Sequence, residues 1–96
     1  PSFLSDPLFY EHCMSALSEN GILTINLLPA LNVQLHWLTG LLHKLTGQAC
    51  TVIGIPGYQN RIVFAANRPL PDLHEFEPLL QFAHQHDVDL NQLILL

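Results

Sequence analysis

Ile22-Leu23-Thr24-Ile25-Asn26-Leu27-Leu28, following directly on Gly21, is the stretch on which the fold turns. Ile22, Leu23, Ile25, Leu27 and Leu28 are large and aliphatic, and the run as a whole does not alternate between apolar and polar. That pattern suits a strand covered by helices on both faces, as in the middle of a parallel sheet. Upstream, Asp6 is placed to accept hydrogen bonds from the free amides of a first helical turn, and Pro7 stands where a missing N–H costs nothing. Phe9, Cys13, Ala16 and Leu17 then recur at helical spacing, as do Tyr10, Met14 and Leu17, giving one broad apolar face. Gly21 falls where a left-handed helix stop is expected. Helix, glycine and buried strand in this order predict an α/β core.

Downstream, Pro29-Ala30-Leu31 turns the chain and Asn32 offers an N-cap to a helix over Val33 to Thr46. Leu35, Leu38, Leu42 and Leu45 form its stripe, Leu41 lies beside them, and Gly47 ends it. Gly40 inside this helix costs about 1 kcal/mol relative to alanine, so close packing against another backbone is expected there. Ala49 to Ile55 and Arg61 to Ala66 read as strands, and the turn residues Pro56-Gly57-Tyr58-Gln59-Asn60 between them predict an antiparallel hairpin with a longer loop. Asn67-Arg68-Pro69-Leu70-Pro71 closes the sheet region, because two prolines so close together cannot continue a ladder. Asp72 is expected to cap a last helix running to about Gln85, with Leu73, Phe76, Leu80 and Ala83 on one side and Pro78 kinking it or delaying its start. Val88 to Leu96 reads as a short helix or a docking tail whose closing Ile94-Leu95-Leu96 needs a partner surface. The organisation expected is one α/β unit over residues 1–70 followed by a helical tail over 71–96.

The 96 residues suffice for one small core. Only 11% of them are charged, where about a quarter would be usual, so part of the surface is expected to lie against something else, and a homo-oligomer is anticipated. A formal charge of −5 with three basic residues, Lys44, Arg61 and Arg68, leaves no basic patch and argues against nucleic acid. No apolar run reaches the roughly 18–20 residues of a membrane span, and no charged-then-apolar signal segment opens the chain. A soluble, cytoplasmic protein without a membrane partner is expected. Cys13 and Cys50, far apart in sequence, read as reduced packing thiols. The chain opens on Pro1, and no strand precedes the first buried one, so the expectation is a C-terminal portion of a longer α/β protein.

The six histidines do not form a metal site by spacing: His84 and His86 are two apart and face away from each other on a helix, and His36 and His43 are about 10 Å apart along one. Ser5, Ser15 and Ser18 lie in or beside a helix with no nucleophile elbow. Gly54-Ile55-Pro56-Gly57 joins two strands rather than opening a helix, so it is no phosphate loop. Two features remain: the segment Asn26 to Asn32, because ligands of open α/β sheets sit beyond the carboxyl ends of the parallel strands, and the hairpin loop with Tyr58, whose ring has a polar tip. On residues alone, Tyr58 also reads as a cover for the sheet edge.

Phe9-Tyr10, Leu17, Gly21-Ile22-Leu23, Ile55-Pro56-Gly57-Tyr58 and Phe64-Ala65-Ala66-Asn67-Arg68-Pro69 together resemble the C-terminal half of spermidine synthase-like proteins, the polyamine aminopropyltransferases of the Rossmann-like class I methyltransferase fold. The resemblance spans about Phe3 to Pro69. It implies a central parallel-type strand, a long helix and a C-terminal antiparallel hairpin. It also implies aminopropyl transfer to a small-molecule amine acceptor, with decarboxylated S-adenosylmethionine or S-adenosylmethionine as the cofactor of the full-length protein. Tyr58 matches the loop tyrosine that contacts the amine, and Asn26 falls where that family has a glutamine, so both are expected substrate-binding residues. Leu28 stands in place of an acidic residue, and Gln59-Asn60-Arg61 replaces Pro-Ser-Gly. The family's catalytic aspartate and glycine loop lie upstream of the matched region, and Asp6 is not in the position of that aspartate. No catalytic, cofactor-binding or metal residue is therefore assigned, and the 96 residues alone are expected to be inactive and to bind no adenosyl cofactor. A methyltransferase of other specificity and a non-catalytic α/β interaction module are the alternative readings.

Overall fold

The computed structural model describes residues 5–55, 57–72, 75–85, 87 and 94–95. They form a mixed α/β unit: α1 (Pro7–Ala16), β1 (Leu23–Leu27), a 3-10 helix (Pro29–Gln34), α2 (Leu35–Thr46), β2 (Thr51–Gly54), β3 (Arg61–Ala65), α3 (Glu77–Gln85) and β4 (Ile94–Leu95). The strands make one sheet in the order β1-β3-β2-β4, with every pairing antiparallel. Because β1 and β2 both run opposite to β3, they run in the same direction, and β1–α2–β2 is a βαβ unit split by the inserted β3.

The sheet buries both faces of its centre. On one face Val52, Val63 and Ala65 pack with Leu27 of β1, Leu38 and Leu42 of α2 and Tyr10 and Met14 of α1. On the other, Ile53, Ile55, Ile62 and Phe64 pack with Phe76 and with Leu79 of α3. Strict alternation along β3, with Ile62 and Phe64 one way and Val63 and Ala65 the other, assigns its residues to the two cores.

The expected central parallel strand is instead an edge strand. β1 pairs with β3 alone among the described residues, and antiparallel, from Leu23 opposite Ala65 to Leu27 opposite Arg61. Ile22 and Leu28 stand outside it, so the remaining Leu-Thr-Ile-Asn-Leu alternates: Leu23, Ile25 and Leu27 face the α1/α2 core, while Thr24 and Asn26 are exposed on the side of α3. Ile22 packs into the α3 core and Leu28 into neither. The apolar run therefore divides between two faces and does not mark a doubly covered strand.

Helix ends follow local chemistry. The Asp6 carboxylate accepts from the Leu8 N–H at 3.0 Å, as the sequence predicts. α1 stops at Ala16 with an extended Leu17, well before Gly21, whose backbone is not left-handed. What Gly21 provides is room, since a β-carbon there would lie 3.1 Å from Leu17 and from the Ser18 nitrogen. Asn32 lies within the 3-10 helix, and α2 begins only at Leu35, with no side-chain cap. Gly47 ends α2 at φ 72°, its N–H bonded to the His43 carbonyl. Gly40 is exposed with open space around it, not pressed against a backbone. The hairpin β2–β3 forms as predicted, in register from Thr51 opposite Phe64 to Gly54 opposite Arg61. Pro78 falls in the first turn of α3 and fixes a start near Glu77 rather than Asp72. On that helix the fully buried leucine is Leu79, with Leu80 half-buried beside it. The expected contact of Leu73 and most of the tail, residues 88–93 and 96, lie outside the described residues.

Candidate functional site

Asn26 and the hairpin loop, chosen separately in the sequence, meet in the structure. The register that sets Leu27 opposite Arg61 carries the end of β1 to the foot of the loop, and there Asn60 donates its side-chain N–H to Asn26 Oδ1 at 3.0 Å. Inside the loop the Tyr58 N–H donates to the Ile55 carbonyl at 3.0 Å, and Gly57 supplies the left-handed residue of this turn at φ 84°. Arg61 folds back, its Nη1 donating to the carbonyls of Gln59 and Asn60 at 3.3 and 3.2 Å. The loop is thus held at its turn, at its foot and across to β1, and it presents Tyr58 with 67% of its surface exposed. Leu28, one residue beyond β1, is 54% exposed.

The resulting site is an open ledge at the carboxyl end of β1 rather than a cavity. Asn26 has amide hydrogens beyond the Asn60 bond, Asn60 has its oxygen, and Tyr58 has a hydroxyl, so the ledge offers donors and acceptors beside an apolar Leu28. Asn60 and Arg61 are the functional candidates that sequence reasoning missed. Once β3 begins at Arg61 and pairs with Leu27, the residue before it must lie beside the end of β1, so the signal was the strand register.

Other concave regions offer less chemistry. A groove of about 550 Å³ between α2 and β2 is lined by Leu35, Thr39, Gly40, His43, Cys50 and Val52 among others. Two of its polar groups are engaged locally: Thr39 Oγ1 donates to the Leu35 carbonyl at 3.0 Å, and His43 Nδ1 lies 3.0 Å from the Gln48 carbonyl, while His36 also lines the groove. Burial pushes the Cys50 thiol pKa up, which lowers its thiolate fraction. Iodoacetamide at pH 8 is therefore expected to label Cys50 about threefold or more slowly in the folded chain than in urea, by peptide-level mass spectrometry. Equal rates would show that this thiol is neither desolvated nor shielded. Cys13 is also a half-buried free thiol. Among the described residues, no three His, Cys, Asp or Glu side chains gather into a metal-binding group, and no helix is long and apolar enough to cross a membrane.

No family model matches the chain, and neither a curated protein nor a solved structure is significantly similar to it.

Proposed function

We propose that this chain forms the acceptor-side wall of a spermidine synthase-like transferase of the class I methyltransferase fold, working with an S-adenosylmethionine-derived donor held by other parts of the polypeptide. The observation that carries the reading is the Asn26–Asn60 hydrogen bond, which ties the loop bearing Tyr58 to the carboxyl end of β1. In open α/β sheets ligands lie beyond the carboxyl ends of parallel strands, and β1 and β2, though separated by β3, run in the same direction. The β2–β3 hairpin agrees with the closing hairpin the resemblance implies, whereas the central parallel strand it implies is here the antiparallel edge strand β1. In this role Tyr58 and Asn26 orient the acceptor, while the reacting groups and the general base come from residues outside this chain.

A polyamine acceptor is what the resemblance implies, with decarboxylated S-adenosylmethionine as donor. Exposed Leu28, where that family carries an acid, favours a second reading: a methyltransferase of other specificity that uses S-adenosylmethionine itself. Both are tested on the polypeptide as its source produces it, assayed for aminopropyl transfer to putrescine and for methyl transfer to a panel of acceptors. Transfer from one donor is expected, with Tyr58→Ala lowering kcat/KM about tenfold, chiefly through KM, because the ring positions substrate in ground and transition states alike. No transfer from either donor would leave a non-catalytic α/β module as the account of the chain.

A further inference from the structure

We infer that Asn20 is a site of spontaneous covalent modification, losing its side-chain amide to give aspartate or isoaspartate in the turn between α1 and β1. The reaction needs no enzyme and does not depend on the acceptor reading above. Its nucleophile is the main-chain nitrogen of the following residue, so the side chain of that residue decides how readily the nitrogen reaches the amide carbon. The six asparagines are followed by Gly21, Leu27, Val33, Arg61, Arg68 and Gln92. Asn20 alone precedes a residue that has no β-carbon and has the backbone freedom that ring closure demands. Packing requires that glycine, since a β-carbon at position 21 would lie 3.1 Å from Leu17 and from the Ser18 nitrogen. The reactive dipeptide is therefore a consequence of how α1 turns into β1.

The fold adds an activating group from 48 residues away: Arg68 donates from Nη1 to Asn20 Oδ1 at 3.3 Å, and its Nη2 pairs with the Glu19 carboxylate. Glu19 and Arg68 are the charged residues that line the hollow around this turn. In the reaction the Gly21 nitrogen gives its proton to base and its electron pair attacks Asn20 Cγ. The N–Cγ bond forms and negative charge moves onto Oδ1, where the guanidinium stabilises it as an oxyanion donor does. Collapse breaks the Cγ–Nδ2 bond, and the nitrogen leaves as ammonia with a proton from water. Water then opens the cyclic imide, at Cγ to leave aspartate or at the main-chain carbonyl to leave isoaspartate, whose backbone runs through the β-carbon. The Gly21 N–H donates to the Ser18 carbonyl at 2.9 Å, a bond that must open first, but Ser18, Glu19 and Asn20 are all exposed and water reaches the turn. The amide nitrogens of Asn60 and Asn67 are instead tied to Asn26 Oδ1 and to the Met14 carbonyl.

The test ages the intact polypeptide at pH 8 and follows asparagine, aspartate and isoaspartate at each of the six positions by peptide-level mass spectrometry. Asn20 is expected to convert faster than every other asparagine. Arg68→Gln, at an exposed position, is expected to slow that conversion about threefold, as befits one water-exposed charge-assisted hydrogen bond. In urea, where the two segments part, the parent chain and Arg68→Gln are expected to react at equal rates. Faster conversion at any other asparagine, an Arg68→Gln rate in the folded state equal to or above that of the parent, or a difference that survives urea would overturn the inference. The transferase reading fails by a different result, the absence of transfer from either donor, which leaves a measured conversion at Asn20 standing.

Discussion

Replacing Phe76 with alanine is expected to lower the unfolding free energy by about 3–5 kcal/mol, the range for removing a buried aromatic ring. Phe76 has no exposed surface and meets Phe64 edge to face, with ring centroids 4.7 Å apart. It stands immediately before α3 and, with Leu79, seals the second face of the sheet. Small domains have only about 5–15 kcal/mol of stability in total, so the loss consumes a large share of it. With a urea slope of about 1–2 kcal/mol per molar for a chain of this size, the transition midpoint should fall by about 1.5–5 M. Phe82→Ala, at a half-buried position on the rim of the same core, should cost clearly less. Equal effects would mean that α3 does not seat on the sheet through Phe76.

What could be read from the sequence was the local chemistry. Asp6 caps, Gly47 stops α2, the Leu38/Leu42 stripe is buried, and the turn residues between Ile55 and Arg61 make a hairpin. Each of these depends on residues a few positions apart. What could not be read was pairing at a distance. Ile22 to Leu28 looks like one buried strand because sequence does not reveal that its first and last residues leave the ladder, after which the middle alternates. A strand beside an inserted, reversed neighbour and a strand inside a parallel sheet show the same aliphatic content, and only the register with β3 distinguishes them. The same gap hid Asn60. Its partner Asn26 is 34 residues away, and nothing in the five-residue turn announces that bond. Asn26 and Tyr58 came from position and resemblance, and the structure adds the link between their segments.

Val63→Asp is expected to be the most damaging single change, costing more than about 4 kcal/mol at pH 7. Val63 has no exposed surface, lies on the central strand between Ile25 and Val52, and faces a core built wholly of apolar side chains. A surface or edge strand could answer such a change by slipping one residue and turning the acid to solvent. β3 has no such escape, because Ile62 and Phe64 are as deeply buried on its other face, and a slip would only move the acid into the second core. The pH dependence identifies the mechanism. Desolvation raises the carboxyl pKa in the folded state above its unfolded value of about 3.9, so folding favours the protonated acid. The penalty is then smallest below about pH 4 and grows as the pH rises through the interval between the unfolded and folded pKa values. Urea titrations of the variant and the parent chain at pH 4 and pH 7 should show a smaller difference at pH 4. A difference independent of pH would mean that the new carboxylate has reached water, and that β3 is not held between two cores. Thr24→Asp, exposed on the edge strand, supplies the contrast and should shift stability by no more than about 0.5 kcal/mol at either pH.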